Sequence, residues 1–430
     1  MISSRTRSIS PTFLKALIGS SIVHLGLIAY GTYQDAHSSV KYTDVDYVVF
    51  SDAARMMWTG PGVGSEIAGQ DKDGSSQGLW GGSWLGSPYT RSTYRYTPLL
   101  AVLMLPNYLV HPAFGKIVFS ACDVLIGYLL YLLFPPSCSV QTWSSTPAND
   151  ERHRNESTIL TTDETNSSSG QTGIINNNKK SANSPRKGFS SNLESSTIWI
   201  SALWLFNPVP LNISTRGSSE SLLGALILTS LYLFESSPNL FSASSLTRSQ
   251  AWASVALGLA VHLKIYPVLY AFAVLGFLGR NERTILGRLG VCRGGIEFGV
   301  ISAGTFGFVT LGCWLIWGYP AIYHPYLYHL TRLDHRHNFS PYFYPIYLLS
   351  STNLSFSSNP SALIKLLRSS LTSFVPQLGL SFGLSWWLGS RGEMALAWGL
   401  GTMAFVCFNK VITSQYFICW ILGELVSDYR

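Results

Sequence analysis

Charge is scarce in this sequence. Only 12% of its 430 residues are Asp, Glu, Lys or Arg, against about 25% in an ordinary soluble domain. The chain is also 47% hydrophobic with a mean hydropathy of +0.22, and its apolar residues come in blocks. Together these argue against a soluble enzyme. No dense Lys/Arg tract exists, and the net charge of +7 is spread along the chain, which removes nucleic acid as a partner. Cysteine is sparse too. Six are present, none in a C-x-x-C pair, and Cys122, Cys313, Cys407 and Cys419 sit in apolar runs. A disulfide framework and a structural zinc site therefore have no support. There is no internal repeat, which weakens the case for a repeat-built transporter.

What the sequence has instead is apolar blocks, and a bilayer span takes roughly 20 mostly apolar residues. The first block, 13–30, is preceded or opened by Arg5, Arg7 and Lys15. It reads as a retained anchor with the N-terminus in the cytosol. Further blocks lie at 97–110, 117–134, 197–212, 219–234, 251–279, 296–318, 371–389, 394–408 and 413–426. On the length criterion they give roughly ten crossings, hence an all-α polytopic membrane protein with 1–430 as one multi-spanning domain. Pro267 is expected to bend the long block 251–279.

Three polar regions interrupt the blocks. Region 31–96 contains a glycine-rich stretch, 60–86. Region 135–196 is rich in Ser, Asn and Thr and balances six basic residues with six acidic ones, with N-x-S sequons at Asn155 and Asn166; it reads as a disordered loop. Region 319–347 is packed with His, Arg and Tyr. The short loop carrying Arg280, Arg283, Arg288 and Arg293 has one opposing acid, Glu282, and should face the cytosol. Counting spans from there puts 31–96, 319–347 and the turn at Asn409 and Lys410 together on the lumenal side. Three clusters distant in sequence then form one composite site.

The sharpest candidate is Tyr42-Thr43-Asp44-Val45-Asp46-Tyr47, just beyond the first span. Carboxylates one residue apart share a strand face or lie close on a tight turn. Such a pair can bind a metal with a phosphate, or supply a general base and its partner. A second cluster runs from Ser87-Pro88-Tyr89-Thr90-Arg91 to Tyr94-Arg95-Tyr96-Thr97-Pro98. Arg grips phosphate and tyrosines stack on sugars; the competing reading is an aromatic belt with a snorkelling Arg. A third is His262-Leu263-Lys264-Ile265-Tyr266-Pro267, inside an apolar block. Ionisable groups at membrane depth are usually functional, although a Pro break would also let Lys264 reach the cytosolic interface. The fourth, 328–344, holds His329, His335 and His337 with Arg332, Arg336 and Asp334. It suits a polyanion better than a metal, because neighbouring guanidinium groups disfavour a cation.

With these residues in hand, the chain resembles the GPI mannosyltransferase 1 family. The matching runs are 42–47 with Asp52-Ala53-Ala54-Arg55, Ser87-Pro88-Tyr89 with 93–100, and Asn207-Pro208 with Ser214-Thr215-Arg216-Gly217. They continue with 262–267, 328–344, and Phe408-Asn409-Lys410 with 413–417. The resemblance implies a GT-C type glycosyltransferase of family 50, multi-pass in the endoplasmic reticulum membrane, with a lumenal loop site. The donor would be dolichyl-phosphate mannose and the acceptor glucosaminyl-(acyl)phosphatidylinositol, joined α-1,4 with inversion. By that resemblance Asp44 or Asp46 is the base for the glucosamine 4-hydroxyl. Substrate binding falls to Arg95, Tyr96, His262, Lys264, His335, Arg336, His337, Asn409 and Lys410.

No cofactor or metal is required, since basic residues can neutralise the donor's single phosphate. A small stabilising membrane subunit is the implied partner. The chain departs from the family in its glycine-rich 60–86 stretch, in its long 135–196 loop, and in stopping at Arg430 where relatives continue for more spans. The rival reading is a polytopic transporter of a polar or anionic solute, which does not explain acids clustered outside the spans.

Overall fold

The computed structural model describes residues 9–60, 86–133, 196–237, 245–331, 338–344, 374–413 and 415–427. Among these residues every regular element is helical. The long first helix, α1 (Pro11–His37), starts where the Ser10 hydroxyl accepts from the Phe13 N–H at 3.1 Å and Pro fills the first turn, the arrangement expected of a good N-terminus. The chain continues through α2 (Val45–Thr59), α3 (Pro98–Leu103), α4 (Leu105–Leu109) and α5 (Phe114–Leu133). Then come α6 (Pro208–Thr215), α7 (Glu220–Glu235), α8 (Arg248–Leu263), α9 (Val268–Gly279) and α10 (Arg293–Trp317). The last three are α11 (Phe374–Ser390), α12 (Met394–Cys407) and α13 (Tyr416–Ser427).

By length and apolarity α1, α5 and α10 each suffice to cross a membrane, and α6 with α7 forms a fourth candidate bent by 115°. Gly217 makes that bend. Its φ is +98°, and a Cβ there would lie 2.3 Å from the Tyr47 ring. Among the described residues the remaining apolar helices have 17 residues or fewer, so fewer segments there reach span length than the ten apolar blocks suggested.

Two blocks resolve differently from their hydropathy. Block 97–110 is no single helix: Pro98 and Pro106 open the short helices α3 and α4. Tyr96 bonds Asp46, and Pro112 accepts from the Tyr47 hydroxyl. The block thus leaves and returns at adjacent residues of α2, and folds back rather than crossing. Block 251–279 is two helices, α8 and α9, broken at 264–267, where Pro267 was expected to act. Most of the glycine-rich stretch and of the 135–196 loop lies outside the described residues.

Two cores result. The larger gathers Trp204, Phe234, Phe277 and Trp398 among others, and the smaller packs Tyr47, Phe50, Met57, Tyr94, Met104 and Phe119 around α2. The smaller core positions the acid motif. Deep between α1, α5 and α6, His24 Nε2 lies 3.0 Å from Asp123 Oδ2, which also accepts from Ser214 at 3.2 Å. Pairing of this kind offsets the cost of burying such groups.

Candidate active site

The acid motif begins a helix, rather than lying on a strand or a tight turn. Asp44 is the N-cap of α2, in extended conformation (φ −66°, ψ 146°), and its Oδ1 accepts from the Asp46 N–H at 3.4 Å. Asp is a favoured residue there, and Asp46 in the first turn meets the positive end of the helix dipole. Tyr96 donates its hydroxyl to Asp46 Oδ2 at 3.0 Å. Gln415, from the far end of the chain, donates Nε2 to Asp46 Oδ2 at 3.2 Å and to Asp44 Oδ2 at 3.4 Å. One amide nitrogen therefore holds both carboxylates toward a common point.

The approach to the motif is tied from three sides. Asp35, in the last turns of α1, accepts from the Tyr42 N–H at 2.6 Å, the Thr43 N–H at 3.1 Å and the Thr43 hydroxyl. Lys116, at the start of α5, donates to Thr43 Oγ1 at 2.6 Å and lies 3.8 Å from Asp35. From the α6–α7 bend, Arg216 Nε donates to the Tyr42 carbonyl at 2.9 Å, and the Arg216 carbonyl accepts the Asp44 N–H at 3.0 Å. The Tyr42 and Thr215 hydroxyls are hydrogen-bonded at 2.7 Å. Burial pushes the Tyr42 phenol up from its ordinary value, partly opposed by the Thr215 bond. Burial also pushes Tyr96 well up, with the charge of Asp46 adding to it. Tyr96 is thus a neutral donor throughout the working pH range.

Arg95 turns away from the acids. Its guanidinium donates to His324 Nδ1 at 2.9 Å and lies 4.5 Å over the Tyr328 ring. Burial, with the Arg95 charge second, lowers His324 to about 4. The imidazole is therefore neutral at pH 7, and because Arg only donates, Nδ1 is the acceptor. Tyr89 stacks on His324 at 4.8 Å.

Lys264 is paired with the first residue of α7. Its Nζ lies 2.5 Å from Glu220 Oε1 and 5.0 Å over the Tyr416 ring, the residue next to Gln415. The 264–267 break is thereby at the acid pair's end of the bundle. His262 is 1% exposed. Its Nδ1 lies 3.1 Å from Thr310 Oγ1 and 3.0 Å from the Tyr326 hydroxyl, so the structure gives it interior partners in α10 and the segment after it. Asn409 and Lys410 are fixed through their backbones: the Asn409 carbonyl accepts from Ser340 at 2.5 Å and the Lys410 carbonyl from Asn338 at 2.9 Å. The Lys410 ammonium lies 4.7 Å over Phe374, and burial lowers it to about 8. His335, Arg336 and His337 lie outside the described residues. Among the described residues no group of three His, Cys, Asp or Glu side chains could hold a metal ion.

The structure thus brings Asp44, Asp46 and Tyr96 together, sets Lys264 beside them, and directs Arg95 to a neighbouring aromatic cluster. Sequence reasoning missed Gln415, Asp35, Lys116 and Glu220. Gln415 sat in the 413–417 run without a role. Lys116 and Glu220 are lone charges at the starts of apolar blocks, a pattern that signals a buried partner but does not identify it. Chemically, two converged carboxylates with fixed donors suit removal of a proton from a sugar hydroxyl.

The chain is similar to known proteins over nearly its whole length. A mannosyltransferase (PIG-M) family profile matches residues 213–426. GPI mannosyltransferase 1 of Gibberella zeae is 33% identical over 416 residues, covering 94% of this chain and 76% of that protein. GPI mannosyltransferase 1 of Dictyostelium discoideum is 34% identical over 416 residues, covering 92% and 73%. That of Candida albicans is 33% identical over 418 residues, covering 95% and 80%.

Proposed function

Because the chain belongs to the GPI mannosyltransferase 1 family, we propose that it transfers the first mannose of a GPI anchor, α-1,4, from dolichyl-phosphate mannose to glucosaminyl-(acyl)phosphatidylinositol. The observation that carries this reading is the convergence of Asp44 and Asp46 on the amide of Gln415. The acceptor 4-hydroxyl is a poor nucleophile until its proton leaves. A carboxylate of the pair takes that proton as the oxygen attacks C1 of the mannose from the face opposite the phosphate. The C1–O bond breaks, its electron pair leaves with dolichyl phosphate, and the β-linked donor becomes an α-linked product.

The charge developing on the leaving phosphate needs cations nearby. Lys264 and Lys410 supply them, with Arg95 contributing from the neighbouring His324–Tyr328 cluster rather than from beside the acids, and with His335, Arg336 and His337 in the same role. A single phosphate diester can be neutralised by these groups, so the reading calls for no resident metal. His262 supports the Lys264 segment, and Tyr96, Asn409 and Lys410 line the approach. The site belongs on the lumenal face of the endoplasmic reticulum membrane, opposite the Arg280–Arg293 loop, and a small membrane subunit stabilises the chain. A transporter reading is not favoured, because the converged acids lie at helix ends outside the long spans.

Reconstitution tests the proposal. Membranes carrying this chain, supplied with labelled dolichyl-phosphate mannose and glucosaminyl-phosphatidylinositol, should form a mannosylated lipid. Absence of that lipid, or movement of free solute instead, sinks the reading.

A further inference from the structure

The two acids of the motif do not have equivalent surroundings. Asp44 is turned back on its own helix: Oδ1 takes the Asp46 N–H and Oδ2 takes Gln415. Asp46 concentrates its donors on one atom, Oδ2, which accepts from both Tyr96 and Gln415. Its Oδ1 receives no hydrogen bond from the described residues, and the side chain is half-buried. A general base must offer a free lone pair to within about 2.6–3.2 Å of the hydroxyl it deprotonates. Asp46 does so with an oxygen that takes no other hydrogen bond from the described residues, while its second oxygen is held by two donors, whereas Asp44 Oδ1 already accepts from the helix.

We infer that Asp46, through Oδ1, is the general base, that Asp44 is the capping acid that sets the helix start, and that Gln415 and Tyr96 are positioning residues. The inference rests on the transferase reading above. Gln415 suits its task chemically. An amide nitrogen has two hydrogens, one for each Oδ2, and a donor between two like charges relieves the repulsion that would otherwise drive them apart. Its backbone is supported as well. Asn338 Oδ1 accepts from Ile412 N–H at 2.9 Å, and Phe339 N–H donates to the Ile412 carbonyl at 2.8 Å. The turn carrying Gln415 is therefore braced against 338–340. Tyr96 completes the set, with its ring packed edge-on to Phe50 at 4.7 Å.

The test compares substitutions that leave the scaffold intact. Asn caps a helix about as well as Asp, and Ser does too. Asp44→Asn and Asp44→Ser should keep α2 in place, whereas Asp46→Asn keeps the size of the side chain but cannot take a proton. With turnover normalised to monodisperse enzyme in nanodiscs, Asp46→Asn should lower kcat by about 10²–10⁴. The better of the two Asp44 variants should lose at least about tenfold less. Gln415→Leu should lower kcat with both KM values within about twofold of wild type, and add no further loss in the Asp46→Asn background, because it acts through that carboxylate.

Equal or greater loss at Asp44 overturns the assignment and leaves the transferase reading standing. A Gln415→Leu loss that persists in the Asp46→Asn background removes Gln415 from the positioning role. Wild-type turnover by all the Asp variants overturns the assignment together with the acid–base reading beneath it.

Discussion

Gln415 Nε2 lies 3.2 Å from Asp46 Oδ2, although 369 positions separate the two residues in the chain. The bond closes the bundle end to end. It links the turn after α12 to the first turn of α2, and the acid pair owes its geometry to that link as much as to its own helix. Asp35, Lys116 and Arg216 hold the same segment from α1, α5 and the α6–α7 bend. The site is therefore a product of the fold's long-range pairing, and substitutions well away from any substrate should register there.

Lys116 gives the first such case. Its side chain is 5% exposed, and its ammonium reaches Thr43 at 2.6 Å. Lys116→Met keeps most of the stem but removes the cation shared by Thr43 and Asp35, which keep only their bonds to each other and to the Tyr42 and Thr43 N–H groups. The loss should be about 1–3 kcal/mol of stability, with lower turnover because Thr43 precedes Asp44. Thermal unfolding in detergent measures the first effect and product formation per folded molecule the second. A variant with wild-type melting and wild-type turnover removes Lys116 from the support of the motif.

Gly217 is a sharper constraint. At φ +98° a side chain costs about 1–3 kcal/mol in backbone strain alone. In addition, an alanine Cβ would lie 2.3 Å from the Tyr47 ring. Gly217→Ala should therefore displace Tyr47 and the adjoining Arg216 carbonyl, which accepts the Asp44 N–H. Low membrane abundance together with lost transfer is expected. Normal abundance with full transfer would show that the bend yields freely.

Much of this architecture was legible beforehand, and the rest was not for physical reasons. Apolar blocks and the Pro267 break follow from local composition, so the helix 114–133 and the α8–α9 interruption could be read directly. Asp44 and Asp46 stood out because acids are rare here. Hydropathy, however, cannot tell a crossing from an apolar fold-back, and 97–110 packs beneath α2 because Tyr96 and Pro112 meet neighbouring residues of one helix. Nor does one sequence read by itself reveal that Lys264 meets Glu220, or that Gln415 meets the acids. Those pairings span 44 positions or more, and nothing local specifies them.

The topology itself can be checked. Glycosylation acceptor sites inserted after Ser39, between α1 and the acid motif, should be modified in intact microsomes. Sites inserted at Arg283 should remain unmodified, because a cationic loop of this kind is expected on the cytosolic side. Both follow from placing the motif and the Lys264 break at one end of the bundle and Arg280 at the other end of α9. The reverse labelling pattern would turn the whole bundle over.

Lys410 carries the pH prediction. Burial lowers its ammonium from the ordinary 10.5 to about 8, so the folded protein gives up that proton across a range where the unfolded chain still holds it. Between about pH 8 and 10.5 the unfolded state binds more protons, and this one group makes folding more favourable as pH rises. Its effect on transfer has the opposite sign. If the cation steadies the leaving phosphate, turnover should fall as pH rises through about 8, while the fold itself is not weakened by this group. Arginine stays charged at all accessible pH, so Lys410→Arg should move the basic limb of the pH–rate profile upward. Lys410→Met should lower turnover at pH 7 and remove the limb. The two effects separate experimentally: thermal unfolding followed against pH reports the first, and initial rates at saturating donor report the second. A basic limb that stays in place in Lys410→Arg assigns it to another group and takes Lys410 out of phosphate binding.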